Sequence, residues 1–310
     1  MSQHATDFQV PWPAWRAPAV TALRAMLGEI EGLAITGGES SVKFSPGAVA
    51  SGRWLAGFSP AGVSTQRLMG LPERLGMPEA WAQRFRNQCH AARHIYLAVE
   101  QSPSQVVAKV YLEHALPVMD QRHRAPQQRD VALHIESCKW RWDAAQDSLR
   151  CTEYWRLSGI DGPGMVALLQ EDQDVAPALR PVYASVADLL DSALRSAPDW
   201  QGHRLLVVRE PGSARQGLGV RFYGSEWRVR PIAQHVSALC KAWGITPESM
   251  NPVTSHWGEQ ELGWLHAGLD AQSQPYLTVY GALSSAQTRS VLRQANGASP
   301  PTKADVPVSV

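Results

Sequence analysis

The 310-residue sequence has little excess charge and no long apolar run. Its 29 Lys and Arg residues face 28 Asp and Glu residues, which leaves a net charge of +1 at pH 7. A dedicated nucleic-acid-binding protein usually carries a basic excess, so we expect no nucleic-acid partner. The sequence contains no run of about 18 apolar residues, so we expect neither a transmembrane helix nor a membrane partner.

Cysteine is scarce, and its spacing excludes the common metal and redox motifs. The four residues, Cys89, Cys138, Cys151 and Cys240, include no C-x-x-C pair. The first residues lack the charged start and apolar stretch of a secretory signal, so we expect a reduced, cytoplasmic protein. Cys138 and Cys151 flank a predicted hairpin, and we expect them to lie close together as free thiols.

Several catalytic signatures are also missing. The sequence contains no G-x-x-x-x-G-K-[ST], G-x-S-x-G, G-x-G-x-x-G or D-D-x-x-D motif. His90 and His94 have the spacing of one helical face, but Ala91 stands where a zinc protease needs glutamate. We therefore expect no metal ligands from the protein itself.

The sequence does contain a repeat of strand pairs separated by helices. Turn-forming residues join two alternating segments in each pair, as Pro46-Gly47 does in the first. Five pairs are predicted: 39–45 with 52–58, 93–100 with 106–113, 132–142 with 149–157, 203–209 with 217–223, and 261–268 with 275–283. Helices are predicted at 17–34, 63–92 (interrupted at Pro72 and Pro78), 164–171, 181–197, 231–243 and 284–295.

Strands joined by short turns pair antiparallel, so a parallel sheet with helical crossovers fits less well. Ten such strands can close into a barrel, which removes exposed edges. The predicted fold class is α+β, a ten-stranded antiparallel β-barrel of five hairpins surrounded by an outer ring of helices. We expect one domain over 1–295 and a disordered tail over 296–310.

Cations and tyrosines recur at alternate positions of these strands, and alternate residues face the same side. The sets are Lys109 with Tyr111, Lys139 with Arg141, Tyr154 with Arg156, Arg221 with Tyr223, and Tyr276 with Thr278 and Tyr280. Solvent exposure is the ordinary explanation for one such set, but the recurrence favours an inward ring of cations and aromatic faces. Cations bind phosphate oxygens, and aromatic faces stabilise a carbocation by ~0.5–2 kcal/mol each. An allylic diphosphate needs cations to bind its diphosphate and aromatic faces to stabilise the carbocation that it forms.

The strands Lys109-Val-Tyr111, Arg221-Phe-Tyr223 and Tyr276-Leu-Thr278-Val-Tyr280 resemble those of the ABBA prenyltransferases, over about residues 17–295. The segments Glu39-Ser-Ser-Val-Lys43 and Lys139-Trp140 look like the cyanobactin-type group, which prenylates ribosomal peptides. The resemblance implies the ten-stranded barrel. It also implies transfer of a dimethylallyl or geranyl group from an allylic diphosphate to a side chain of a cyclic peptide or to a small aromatic acceptor.

The resemblance also implies roles for individual residues. Glu39 would orient the acceptor and receive its proton, and Mg²⁺ carried by the diphosphate would be the cofactor. Diphosphate would be bound by Arg53, Lys109 and Arg221, helped by Lys139 or Arg141 and by His266, which could instead reach the acceptor. The allylic cation would be shielded by Tyr111, Tyr154, Tyr223 and Tyr280.

Alternatives remain open for these assignments. Glu39 follows Gly37-Gly38 and could be an exposed loop acid, and His266 could be a core histidine. Thr278, and Tyr154 with Arg156, depart from the Lys-x-Tyr pattern of the resemblance. A non-catalytic barrel that binds a hydrophobic or anionic small molecule would use the same cavity without needing Glu39.

Overall fold

A computed structural model describes residues 17–102, 104–119, 131–142, 149–175, 177–249 and 258–295. The strands, in chain order, are β1 (Ile35–Ser45), β2 (Ala48–Ala50), β3 (Arg53–Phe58), β4 (Ala92–Gln101), β5 (Val106–Met119), β6 (Val131–Arg141), β7 (Arg150–Leu157), β8 (Arg204–Arg209), β9 (Gln216–Arg221), β10 (Leu262–Leu269) and β11 (Pro275–Leu283). Each of the five predicted strand pairs is present and antiparallel.

The sheet closes on itself because β11 pairs with β1 as well as with β10. In this closing pair Ser41 lies opposite Tyr280 and Lys43 lies opposite Thr278. Among the described strands, the short strand β2 pairs only with β1 and is not one of the strands that close the barrel. The structure therefore confirms the predicted ten-stranded antiparallel barrel.

Helices surround the barrel on its outer side. They are α1 (Ala17–Ile30), α2 (Thr65–Met69), α3 (Leu71–Arg74), α4 (Glu79–Gln88), α5 (Gly162–Val175), α6 (Arg180–Ser196), α7 (Val229–His235), α8 (Ser237–Ala242) and α9 (Ser285–Ala295). Pro72 and Pro78 separate α2, α3 and α4, as the sequence predicts. Among the helices that are described, none is long and apolar enough to cross a membrane.

The apolar core lies between the outer faces of the strands and the helices. Val182, Val186 and Leu190 of α6 share a cluster with Leu205 of β8 and Leu265 of β10, all at most 1% exposed. A second cluster joins α1 and α4 to the outer faces of β3 through β6, where Trp54 and Trp140 are buried. Because the outward faces are covered by helices, the inward faces of the strands are left for polar and aromatic side chains.

Three predicted boundaries need correction. Helix α4 ends at Gln88 and β4 begins at Ala92, so His90 and His94 do not share a helical face. The helix predicted at 231–243 is two short helices, α7 and α8. Strand β9 ends at Arg221, so Tyr223 lies in the turn that follows.

Two further expectations concern the cysteines and the tail. Cys138 lies directly opposite Cys151 in the β6–β7 register, and both are free thiols, which confirms their predicted proximity. The tail predicted over 296–310 lies outside the described residues.

Candidate functional site: a two-sided barrel interior

The barrel encloses a cavity of about 840 Å³, within the size range of pockets that bind small organic ligands. Aromatic rings form much of its wall, and they come from Tyr96, Tyr111, Tyr154, Tyr223, Trp264 and Tyr280. The first strands of the hairpins thus contribute rings, such as Tyr96 of β4, as well as the return strands.

Four rings cross the interior, each in contact with the next, and we call Tyr111, Tyr154, His266 and Tyr280 the aromatic layer. Ring centroids are 6.1 Å apart between Tyr111 and Tyr154, 6.0 Å between Tyr154 and His266, and 5.0 Å between His266 and Tyr280. These separations and the tilted geometry are favourable for aromatic pairs. All four side chains line the cavity, so one face of the layer forms part of the cavity wall.

Glycines on neighbouring strands make room for the rings. Gly219 of β9 lies opposite His266, and a Cβ atom there would sit 2.6 Å from His266 Nε2. Gly57 of β3 lies opposite Tyr96, and its Cβ would be 2.6 Å from that ring. Any larger residue at either position would force the neighbouring ring to move.

A cation cluster occupies the interior on the other side of the aromatic layer. We use this name for Lys43, Arg53, Lys109, Lys139 and Arg215. Lys109 and Lys139 lie directly opposite each other on β5 and β6. The cavity wall includes none of the five. The cluster nevertheless lies close to the layer, because the charge of Arg53 lowers the pKa of Tyr111 and Tyr280 against the effect of burial, and the charge of Arg215 lowers the pKa of His266. The layer therefore separates the cluster from the cavity.

Three acids pair with the cluster. Glu100 bridges Arg53, at 2.5 Å, and Lys109. Glu210 accepts a hydrogen bond from Lys139 Nζ at 2.8 Å and lies 3.8 Å from Arg215.

The third acid is Asp270, whose carboxylate accepts a hydrogen bond from Lys43 Nζ at 3.1 Å. Five cations thus face three acids, so the cluster keeps a positive excess.

Some buried donors in the cluster and beside it have no acceptor in the described part of the chain. They are Nε of Arg53, Nε of Arg215 and the hydroxyl of Tyr276. Tyr276 lies beneath the cations, with Lys43 Nζ 5.0 Å and the Arg215 guanidinium 6.0 Å from its ring centroid. Buried donors are rarely left unpaired, so these three mark a place for a ligand with acceptor oxygens.

Burial and like charge act together on the groups nearest the cluster. Burial, reinforced by the charges of Arg53 and Lys139, lowers the pKa of Lys109 to about 7 although Glu100 opposes the shift. Burial and the neighbouring cations lower the pKa of His266 to about 3. His266 is therefore a neutral ring within the layer at physiological pH, and Lys109 is poised to gain or lose a proton.

Glu39 lies on the cavity side of the layer, where the Tyr223 hydroxyl donates a hydrogen bond of 2.5 Å to its Oε1. Burial raises the pKa of Glu39 to about 7, while the Tyr223 hydrogen bond and the charge of Arg221 oppose the rise. A carboxylate with this pKa can accept a proton near neutral pH. Gly263 leaves space for the Tyr223 ring, since a Cβ there would be 2.9 Å from it.

A second carboxylate, Glu113, also lines the cavity. The Tyr96 hydroxyl donates to its Oε2 at 2.5 Å, and His94 Nδ1 lies 3.1 Å from the same oxygen. His134 is 3.8 Å from the other oxygen. Within the described ranges, no group of three His, Cys, Asp or Glu side chains is arranged to hold a metal ion.

The structure divides the predicted site residues into groups. Glu39, Tyr223 and the aromatic layer meet at the cavity, whereas Arg53, Lys109 and Lys139 meet in the cation cluster. Arg221 was expected among the diphosphate ligands, but it lies on the Glu39 side, with its guanidinium 4.9 Å from the Tyr223 ring centroid. Arg141 is exposed at the end of β6.

Sequence reasoning missed several members of the site. Lys43 shares a face of β1 with Glu39, so the alternation could have identified it. Glu100 shares a face of β4 with Tyr96, but the recurring pattern consisted of cations and tyrosines and did not include acids. Arg215 lies in the turn before β9, where no strand period applies.

Solved structures with similar chain paths include a "NotF prenyltransferase", 13% identical, with 80% of this chain and 81% of that chain covered and a TM-score of 0.47. AnaPT from Neosartorya fischeri is also 13% identical, with 81% and 79% covered and a TM-score of 0.46. A 5-dimethylallyl tryptophan synthase from Streptomyces coelicolor, in complex with DMASPP and Trp, is 14% identical, with 92% and 96% covered and a TM-score of 0.41. No family model and no curated protein matches the sequence.

Proposed function

We propose that this protein transfers a dimethylallyl or geranyl group from an allylic diphosphate to a small aromatic acceptor or to a nucleophilic side chain of a cyclic peptide. One observation carries the proposal: an aromatic layer separates a cation cluster that has unpaired buried donors from a carboxylate whose pKa is about 7. Each of these three parts corresponds to one demand of the reaction.

The cation cluster is suited to the diphosphate. Arg53 and Arg215 each offer a buried Nε donor, and Tyr276 offers its hydroxyl. The excess of cations over acids in the cluster attracts an anion into this part of the barrel interior. When the bond between the allylic carbon and the bridging oxygen breaks, its electron pair leaves with the diphosphate, and the same cations stabilise the added charge.

The aromatic layer is suited to the allylic cation. Ring faces attract a cation through their quadrupole. Tyr111, Tyr154 and Tyr280, linked through His266, would cover one side of the prenyl group against water. Because water would quench the cation, its exclusion favours attack by the acceptor. A neutral His266 adds no repulsive charge at this point.

Glu39 is suited to finish the reaction. The acceptor's ring carbon or heteroatom forms a bond to the allylic carbon, and the Glu39 carboxylate takes the proton that the acceptor then loses. Tyr223 holds this carboxylate toward the cavity. A barrel that only binds a ligand would not need an acid of this pKa beside an empty volume.

Mg²⁺ and location are parts of the same proposal. Glu100 and Glu210 are engaged with cations, so a magnesium ion would be held mainly by the diphosphate oxygens, as Mg²⁺ often is. The four free thiols support a reducing compartment such as the cytoplasm.

Mass spectrometry tests the proposal. The protein is incubated with Mg²⁺, dimethylallyl or geranyl diphosphate, and a panel of indoles, phenols, arginine compounds and cyclic peptides. Addition of one prenyl group to any acceptor is expected. Calorimetry with dimethylallyl thiolodiphosphate distinguishes the failures: binding without turnover favours a non-catalytic ligand-binding barrel, and no binding contradicts the assigned diphosphate site.

A further inference from the structure

Three arginines line the cavity at one edge of the barrel. Arg156 is one residue from the end of β7, Arg204 begins β8, and Arg221 ends β9. Arg204 lies directly opposite Arg221, and Arg156 lies opposite Leu206, two residues further along β8. The three side chains therefore belong to one patch of the wall, which we call the arginine wall.

The arginine wall differs from the cation cluster because acids compensate its charges only from a distance, as Glu261 and Glu39 do for Arg221. No ion pair joins any of its three arginines to an acid within the ranges described above. Arg204 and Arg221 donate instead to backbone carbonyls, at 2.6 Å to His203 and 2.7 Å to Gly202. These bonds fix the guanidinium groups in place without removing their charge.

The side chains are half-buried, and Arg156 Nε is a buried donor without a partner in the described residues. Burial and the charge of Arg204 lower the pKa of Arg156, and the same two causes lower that of Arg221. Holding three like charges together with partial loss of water is unfavourable unless an anion completes the site.

We infer that the arginine wall binds a carboxylate carried by the acceptor, and this inference rests on the proposed function. The diphosphate has its own donors beyond the aromatic layer, so the arginine wall is left for the second substrate. Guanidinium groups match the two oxygens of a carboxylate. Tyr154 shares a strand face with Arg156, and Trp264 lies opposite Arg221, so both flank the bound anion.

This arrangement orients the acceptor. Arg221 stands beside Tyr223, whose hydroxyl holds Glu39. An aromatic ring attached to the anchored carboxylate would lie in the cavity between the arginine wall and the aromatic layer. A neutral acceptor would lack this anchor and bind more weakly, with its reacting atom less well placed.

The test compares indole-3-propionate with its primary amide, which has nearly the same shape but no charge. In the wild-type protein the KM for the acid is expected to be at least about tenfold below that for the amide. Arg156→Gln should raise the KM for the acid about tenfold or more and leave the amide unchanged. Arg204→Gln should raise the KM for the acid in the same way. Arg195→Gln, on the outer helix α6, is the control and should change neither KM.

Three results would overturn the inference: equal KM values for acid and amide in the wild type, an equal rise for both in Arg156→Gln, or a tenfold loss of inorganic diphosphate binding in that variant. The last result would place the arginines in the diphosphate site. If neither compound is prenylated, calorimetry of indole-3-propionate with the wild type and with Arg156→Gln tests the inference separately from the proposed transfer. Binding of the acid that is lost in Arg156→Gln supports the inference, and binding that is absent or independent of Arg156 contradicts it.

Discussion

The Tyr223 hydroxyl donates a hydrogen bond of 2.5 Å to Oε1 of Glu39, across 184 residues of sequence. The bond favours the ionised carboxylate, whereas burial in the barrel favours the protonated acid. Burial is the larger effect, and the resulting pKa of Glu39 is about 7. About half of Glu39 is therefore ionised at pH 7, and the hydrogen bond from Tyr223 keeps this fraction from falling further.

The first prediction is that Tyr223→Phe moves the pH dependence of transfer. Because the hydroxyl lowers the pKa of Glu39, its loss raises that pKa and reduces the fraction of carboxylate at a given pH. The acidic limb of kcat/KM, expected near pH 7 in the wild type, should move up by about one pH unit. Tyr96→Phe, which removes a donor to Glu113, is the control and should leave that limb in place.

The second prediction concerns the free energy of unfolding. The pKa of Glu39 is raised from 4.5 to about 7, so the folded protein binds more protons than the unfolded chain between these values. The stability contributed by this group is present below pH 4.5 and is lost as the pH rises toward 7. Glu39→Gln should therefore match the wild type near pH 4 and exceed it by about 2–3 kcal/mol at pH 8. Denaturant unfolding at the two pH values measures the difference, and a constant difference would contradict the prediction.

The third prediction is proton uptake when the cation cluster binds an anion. Lys109, with a pKa of about 7, is largely neutral at pH 8, and a bound diphosphate would raise that pKa. Calorimetry of dimethylallyl thiolodiphosphate binding at pH 8, in buffers of different ionisation enthalpy, should show uptake of close to one proton. Lys109→Met should abolish the uptake. Arg53→Gln should weaken binding and reduce the uptake without abolishing it, because loss of the Arg53 charge raises the pKa of Lys109 before binding. Uptake that persists in Lys109→Met would assign the proton elsewhere.

The fourth prediction concerns the space that Gly219 leaves for His266. A methyl group at this position would lie 2.6 Å from His266 Nε2, so the ring must move within the aromatic layer. Gly219→Ala should lower transfer at least about tenfold and destabilise the fold by about 1–3 kcal/mol. Gly28→Ala, in helix α1 with open space around it, should keep full activity and raise stability by about 0.5–1 kcal/mol. Full activity in Gly219→Ala would show that the layer tolerates displacement.

Local pattern was enough to predict the strands but not all of the site. Turn residues and alternation locate each hairpin, and Lys109, Tyr111 and Lys139 lie inside because the strand period holds through them. The period also holds through Arg221, the last residue of β9, but alternation alone does not say on which side of the layer an inward side chain lies. Which end of the barrel each residue reaches depends on the closing register between β1 and β11, a contact between the two ends of the chain.

The acids of the interior show a second limit. Glu100 and Glu210 pair with the cations of the cluster only after the hairpins are arranged side by side. Glu210 follows β8 and meets Lys139 of β6 across 71 residues, a distance that no spacing rule covers. The sequence pattern therefore predicted an excess of cations but not the carboxylates that partly neutralise them.

The most direct test of the account is whether donor binding and proton removal reside on opposite sides of the aromatic layer. Binding of dimethylallyl thiolodiphosphate and prenyl transfer are measured together in Glu39→Gln and Lys109→Met. The account predicts that Glu39→Gln binds the analogue with a Kd within about twofold of wild type but loses at least about a hundredfold in transfer. Lys109→Met should weaken binding of the analogue at least about tenfold. Normal transfer by Glu39→Gln, or loss of analogue binding in that variant, would contradict it.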